Sequence, residues 1–447
     1  MKSAVKSAAK LKKAESAYIK NSHSLATLDL WDNLLKSSLV FHWLCNFTVN
    51  LQNLYLDNNL LEGPIADAIG KVMKSLEVLS IDSNKLKGEI PASLGSICTL
   101  KILYLNGNNL SGKFSSFIQN SSTCNSPALE TLDLSNNFII GKLPESIGLL
   151  HQLQFLFLEE NYMEGDINEL HLTNLSQLLE LDLSDNSLSL KFATTWIPPF
   201  QLLSLGLASC KSGPSFPSWL QSQNQLSFLD ISDAGIHDFV PDWFWNKLQF
   251  ISRMNMSYNR LKGVIPNLTM KYVNYGPAII LNSNKLEGVI PTFLSHAGTL
   301  DLSDNKFSDL NTLLCGNIVT KNMRTLDLSN NQITGQLPEC WERLSSLVFL
   351  DLRNNKLSGK IPQSMGTLVN LRALVLRNNN FNGQLSLTLK NCSNIALLDV
   401  SKNLLTGSVP SWIGKNMQQL EPQLKSDYKK HIVQYFFFYV HKIKKII

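Results

Sequence analysis

Apolar residues recur along most of this 447-residue chain at a spacing that belongs to neither a lone helix nor a lone strand. The unit reads L-x-x-L-x-L-x-x-N-x-L-x-G-x-I-P. Leu76, Leu79, Ile81, Asn84, Leu86, Gly88, Ile90 and Pro91 spell it, and so do Leu347, Leu350, Leu352, Asn355, Leu357, Gly359, Ile361 and Pro362. A fixed period of about 24 residues predicts a stack of similar coils, each covering its leucines with the next coil, in place of one central core. About sixteen copies are readable, starting at Leu25, Leu51, Leu76, Leu100, Leu129, Leu153, Leu178, Leu202, Leu226, Ile251, Gly276, Ala297, Met323, Leu347, Leu371 and Ile395. The step from Leu100 to Leu129 is long, and the frame stutters between Gly276, Ala297 and Met323.

Each position of the unit predicts a local structure. The L-x-L pair, Leu132 and Leu134 for instance, alternates with period two and reads as a short strand with one face inward; stacked coils then align these strands in a parallel sheet. The Asn points inward as well, where an unpaired amide is costly, so it is expected to satisfy backbone groups at the bend. Repeated in register it makes a ladder: Asn108, Asn137, Asn161, Asn186, Asn259, Asn284, Asn305, Asn331, Asn355, Asn379 and Asn403. The Gly permits the backbone of the following turn. The Ile makes a second inward contact, and the Pro bars continued helix. At roughly 4.8 Å per strand, sixteen coils give an arc on the order of 75 Å, long enough for a macromolecular ligand.

The net charge of +5 misleads, because it sits on the flanks. Residues 1–20 hold six Lys against Glu15, and residues 421–447 hold six Lys against Glu421 and Asp427, which leaves the repeats about −4. A nucleic-acid reader would carry a basic stripe on its folded body, so nucleic acid is not an expected partner. Three regions follow: a Lys/Ala-rich tail at 1–20 that favours helix, repeats over 21–413 with irregular stretches at 111–128 and 292–322, and a basic, aromatic tail at 414–447. Lysines interrupt residues 1–20 before an apolar signal core can form. Tyr435–Val440 falls far short of the roughly 20 apolar residues of a spanning helix, so no membrane span is expected in this chain.

The G-x-I-P half of the unit resembles the plant-specific class of leucine-rich repeats. The stretch Leu205 to Trp245, LGLASCKSGPSFPSWLQSQNQLSFLDISDAGIHDFVPDWFW, is more specific and is similar to the middle of the ectodomain of plant receptor-like proteins, cell-surface immune receptors without a kinase. Cys210 there stands in for the ladder Asn, as that family allows. The resemblance covers roughly residues 25 to 410. It implies an α/β solenoid, a leucine-rich repeat horseshoe or superhelix with a parallel β-sheet on the concave face. It also implies a glycosylated domain on the outer side of the plasma membrane that binds a peptide, protein or glycan and signals through a co-receptor kinase. A full member has a signal peptide, capped ends and a membrane helix. None of these is legible here, which points to a truncated member. Two rivals share the repeat: a secreted inhibitor of a microbial wall-degrading enzyme, which has about ten repeats and intact caps, and a nonfunctional fragment of a receptor kinase.

Cys98 and Cys124 lie about one repeat apart, as do Cys315 and Cys340, and residues one coil apart can sit within disulfide reach. Both pairs flank irregular stretches. Two disulfides are expected, with buried free cysteine as the alternative. Cys45, Cys210 and Cys392 read as structural, and without a C-x-x-C pair no zinc is suggested. N-x-S/T acceptor sites for glycans occur at Asn46, Asn109, Asn120, Asn174, Asn255, Asn267 and Asn391, more than a cytosolic chain needs.

Signs of catalysis are weak. Gly107–Lys113 imitates most of a phosphate-binding loop, yet Phe114 occupies the required Ser or Thr position and the repeat itself explains Asn108, Leu110 and Gly112. No kinase signature and no H-E-x-x-H is present. The aspartates of the L-D-L strands (Asp29, Asp133, Asp182, Asp230, Asp301, Asp327, Asp351, Asp399) read as soluble outward positions. The chain reads as a binder with no cofactor, no metal and no enzymatic activity. Ligand contacts are expected where the outward strand positions carry interface-forming residues: Tyr55, Tyr104, Phe155, Phe157 and Glu159 toward the N-terminus, then Phe349, Arg353 and Arg377. The aromatics could instead pack on one another along the stack.

Overall fold

The leucine pair of each coil forms a three-residue parallel strand whose middle residue is buried and whose flanking residues face out, as in Phe155–Phe157 and Glu180–Asp182. The computed structural model describes residues 25–37, 39–47, 50–270, 272–316 and 322–413. The two tails named above, and any helix within the first, lie outside these residues. The described chain falls into two compact units, one running to Pro266 with Met270–Lys285, the other comprising Asn267–Thr269 and the residues from Leu286 onward. In the first unit eleven strands, from Thr27–Asp29 to Ala278–Ile280, follow one another in chain order. In the second, five strands do the same from Thr299–Asp301 to Leu397–Asp399. Registers are aligned, Leu132 beside Leu156 beside Leu181, so the leucines form a continuous buried row. Leu51, Leu54, Leu56 and Leu61 of one coil are fully buried, as are Leu371, Leu374 and Leu376 of another.

The ladder asparagines hold the bends. Asn161 accepts from the Ile139 N–H at 3.0 Å and donates to the Leu134, Leu158 and Glu159 carbonyls. Nearly the same set recurs at Asn186, Asn259 and Asn355. It holds also at Asn84, the Asn of the first unit quoted above, and begins one coil earlier than any position named from sequence, at Asn59. In the receptor-like stretch, Cys210 donates its thiol to the Leu183 carbonyl at 3.2 Å, a single bond in place of the amide's set. Just before the ladder position the backbone turns left-handed, at Asn136 (φ 54°), Asp185 (φ 54°) and Tyr258 (φ 55°) among others.

Past each ladder residue a second short strand forms. Six of these, Glu62–Gly63 through Ser187–Leu190, make a second parallel sheet in the first unit, and four make one in the second. Their Gly turns left-handed and leaves room for the neighbouring coil: Gly112 has φ +80°, and a Cβ there would lie 2.6 Å from the Glu89 side chain. The Pro does more than stop helix. Pro91, Pro144, Pro291 and Pro362 each stand immediately before a 3-10 turn, because a fixed φ suits the residue that leads into a helix. In the long coil, helix Ser115–Ser121 takes up the extra residues, and Gly95 lets the Phe117 carbonyl of that helix approach where a Cβ would collide with it.

Cys98 is bonded to Cys124 with Cα atoms 5.4 Å apart, and Cys315 to Cys340 at 5.5 Å. Cys45, Cys210 and Cys392 are buried thiols.

Candidate functional site

The outward strand positions form three columns along each sheet. In the first unit the middle column runs Tyr55, Ser80, Tyr104, Asp133, Phe157 and Asp182 on successive coils, every pair in register. Tyr55, Tyr104, Phe155, Phe157 and Glu159 are all half-buried on this face. Phe155 lies between Thr131 and Glu180 in the adjacent column. An acid-lined floor accompanies the rings. The Ser80 hydroxyl is 3.1 Å from Asp57 Oδ1 and 2.8 Å from Asp82 Oδ1. Burial, then the neighbouring Asp82, raises the Asp57 carboxyl above its ordinary range. Asp133, held between Tyr104 and Phe157, is pushed up to about 6 by burial. The Tyr104 phenol is raised by burial and then by Asp133 and Asp82. This face therefore joins aromatic surface to carboxylates that gain from a donor or a cation.

The second unit differs. Asp301, Asp327 and Asp351 stand side by side in register, and Val375 and Asp399 continue the column. Reading these aspartates as soluble outward positions fails at Asp351, which is only 2% exposed, while Asp301 and Asp327 are half-buried. Neighbouring coils at about 4.8 Å on both sides cover a short side chain that a lone strand would leave wet. Burial and then Asp327 raise Asp301 and Asp351 to about 7, and burial raises Asp327. Arg353 pairs with Asp351 at 3.3 Å and Arg377 reaches Asp399 at 3.9 Å. Each arginine thus faces one acid of the column, a pairing the sequence does not reveal because the partners belong to the strand face itself. Phe349 is half-buried one position from this column.

Two face residues escaped the sequence reading. Phe228 and Arg253 occupy the first outward position of adjacent strands in register. The same L-x-L frame locates them once the first column is scanned as well as the middle one.

The glycan acceptor sites scatter. Asn109 is exposed on a second-sheet strand, Asn109–Gly112, and Asn174, Asn267 and Asn391 are exposed elsewhere. Asn120 donates its amide to the Ala92 carbonyl at 2.9 Å. Asn255 sits in the middle column of the strand face with its amide 3.0 Å from Asp230 Oδ2. Asn46 falls in helix Leu39–Phe47, and its side chain is outside the described residues. The phosphate-loop imitation is absorbed by the repeat: Asn108 is a ladder residue and Gly107 a left-handed turn. Among the described residues no cluster of His, Cys, Asp or Glu is arranged to hold a metal, and no helix is long and apolar enough to cross a membrane.

Stacked parallel strands with an in-register Asn ladder define a leucine-rich repeat protein. Two models described as leucine rich repeat match, one over residues 50–72, 75–97, 99–121 and 128–150, the other over 295–357 and 321–381. The chain is similar to Receptor-like protein EIX2 of Solanum lycopersicum, 39% identical over 73% of this chain and 41% of that protein. It is also similar to Receptor-like protein 53 of Arabidopsis thaliana, 33% identical over 40% of this chain and 21% of the relative. The chain thus spans less than half the length of these relatives. Among solved structures, the plant peptide hormone receptor RGFR1 in complex with RGF2 matches with a TM-score of 0.68 and 25% identity, over 88% of this chain and 65% of that one. PEPR1–AtPEP1 matches with a TM-score of 0.59 and 26% identity, over 90% and 65%. The chain thus carries leucine rich repeats and is similar to plant receptor-like proteins.

Proposed function

We propose that this chain is the ligand-recognition part of a plant cell-surface receptor, binding a peptide, protein or glycan on its strand face and leaving signalling to a partner kinase. The observation that carries this reading is the aromatic and acidic strand face of the first unit, with Tyr55, Tyr104 and Phe157 alternating with Ser80, Asp133 and Asp182 along one column. Half-buried aromatics on a rigid sheet supply contact area at low entropic cost. Raised carboxylates add a preference for a ligand rich in donors or positive charge. Support also comes from the peptide-bound receptors that share the fold. No residue set on the strand face suggests a reaction, and the role proposed is binding alone.

The test uses the secreted chain immobilised against panels of peptides and oligosaccharides, followed by titration of the strongest hit. Tyr104→Ala and Phe157→Ala are expected to weaken that hit about tenfold each, the effect of losing roughly 1.4 kcal/mol of contact. Lys87→Ala, on the second sheet, is expected to leave affinity unchanged. Equal affinities for all three variants would refute the assignment. Arg353→Ala is a poorer probe, since it also strips Asp351 of its partner.

A further inference from the structure

The second sheet of the first unit carries an apolar patch that the strand-face reading does not use. Phe138 is 47% exposed, Ile140 47% and Tyr162 61%. They come from the strands Phe138–Gly141 and Tyr162–Ile167, with Tyr162 opposite Ile140. The Phe138 and Tyr162 rings stack with centroids 5.9 Å apart and planes inclined by 16°. Large rings left wet in this way call for a cover.

The preceding coil supplies a candidate cover. Strand Asn109–Gly112 pairs with Phe138–Gly141, placing Ser111 beside Phe138. Asn109 and Ser111 are the first and third residues of the acceptor site Asn109-Leu110-Ser111, and both are exposed while Leu110 is buried. Alternation therefore puts Asn109, Ser111, Phe138 and Tyr162 on one face. Asn109 and Phe138 are diagonal neighbours across adjacent strands, a separation of about 8 Å. The acceptor sites at Asn120 and Asn255 differ, their amides being committed to the Ala92 carbonyl and the Asp230 carboxylate. The size of the patch also favours a sugar over a protein. Three side chains provide far less than the roughly 800 Å² per partner of a stable protein interface.

We propose that an N-linked glycan on Asn109 is a structural part of this fold, its first two N-acetylglucosamine rings lying on Phe138 and Tyr162. The inference rests on the secretory route implied by the proposed function. In that route the Asn109 amide nitrogen attacks C1 of a sugar carried on a lipid pyrophosphate. The N–C1 bond forms, the C1–O bond breaks, and the amide proton leaves as the pyrophosphate departs. The sugar's C–H face then meets the electron-rich ring faces, as aromatic packing favours.

The test expresses the full chain behind an added export signal in plant or insect cells and maps glycopeptides by mass. Most Asn109 is expected to be occupied. Thermal unfolding is then compared in a cycle. Ser111→Ala, which abolishes the acceptor site, lowers the midpoint by about 2 °C in the parent chain and leaves it unchanged when Phe138 and Tyr162 are both Ala. Ser111→Thr, which keeps the site, has no effect. Hydrogen exchange at Ile139 and Ile140 should quicken on loss of the glycan. An unoccupied Asn109, or the same shift with and without the rings, would overturn the proposal. Failure of the chain to bind any ligand would leave all of these readouts as they are, so the two readings fail separately.

Discussion

Replacing Asn137 with Leu is expected to cost about 3–5 kcal/mol of unfolding free energy, read as a lower urea midpoint. Asn137 is 5% exposed. Its Oδ1 accepts from the Leu110 N–H at 2.9 Å, and its amide donates to the carbonyls of Leu105, Leu134 and Ser135 at 3.0, 3.2 and 3.0 Å. Leucine fills similar space and answers none of these groups. The Leu110 N–H and the Leu105 carbonyl are the losses that matter, because both belong to a neighbouring coil and both stay buried; each orphan costs about 1–3 kcal/mol. The loss spreads, since each coil is stabilised by its neighbours. Asn136→Gly is the control. Position 136 is left-handed at φ 54°, so Gly fits there, and its stability should stay within about 0.5 kcal/mol of the parent. Equal stability for Asn137→Leu would mean that water replaces the amide and that the ladder is no determinant of the fold.

The second large effect is a pH dependence seated in the second unit. Asp301 and Asp351 titrate at about 7 in the folded chain, and Asp327 between them is raised by burial. An unfolded aspartate titrates near 3.9. The folded chain therefore holds protons between about pH 4 and 7 that the unfolded chain has released. The contribution of this column is fully present below pH 4 and is lost as pH rises through 7. The groups facing it are Arg353, which favours the charged forms, and Asp304 and Asp399, which oppose them. The three carboxyls share one field, so the column as a whole is worth on the order of 3 kcal/mol between pH 5 and pH 8. Asp327→Asn keeps the acceptor for the Ser329 N–H, which lies at 2.9 Å, and removes the central charge. Urea unfolding of both chains at pH 5 and pH 8 isolates the effect, because all other titrations cancel in the difference. The variant should equal the parent at pH 5 and exceed it at pH 8. A gap that is the same at both pH values would show that the column stays ionised throughout.

The coils, their strands and the ladder were legible because each rests on a local rule: alternation makes the strand, and a buried amide must find partners. Leu132 and Leu134 carry their inward face in the sequence. What was hidden depends on the coil one repeat away. Nothing near Asp351 in the sequence says that Asp327 lies against it and covers it, so a buried carboxyl looked like a soluble one. Arg353 and Arg377 looked like free interface residues until the acid column was visible beside them. The stacked pair of Phe138 and Tyr162 was missed for the same reason, since each alone is an outward residue of an unremarkable N-x-L segment. The aromatic column of Tyr55, Tyr104 and Phe157 was readable because the L-x-L frame fixes which residues face out, whatever lies on the next coil.

The central claim is that the strand face, rather than the second sheet or the helical side, receives the ligand. Hydroxyl-radical footprinting of the secreted chain, free and saturated with the strongest hit from the binding panel, measures this residue by residue. The account predicts loss of labelling at Tyr55, Tyr104, Phe155 and Phe157, with Tyr162 on the second sheet and Trp243 on the short helix Asp242–Trp245 labelled as before. Protection confined to Tyr162 or Trp243, with the strand-face rings still labelled, would contradict it.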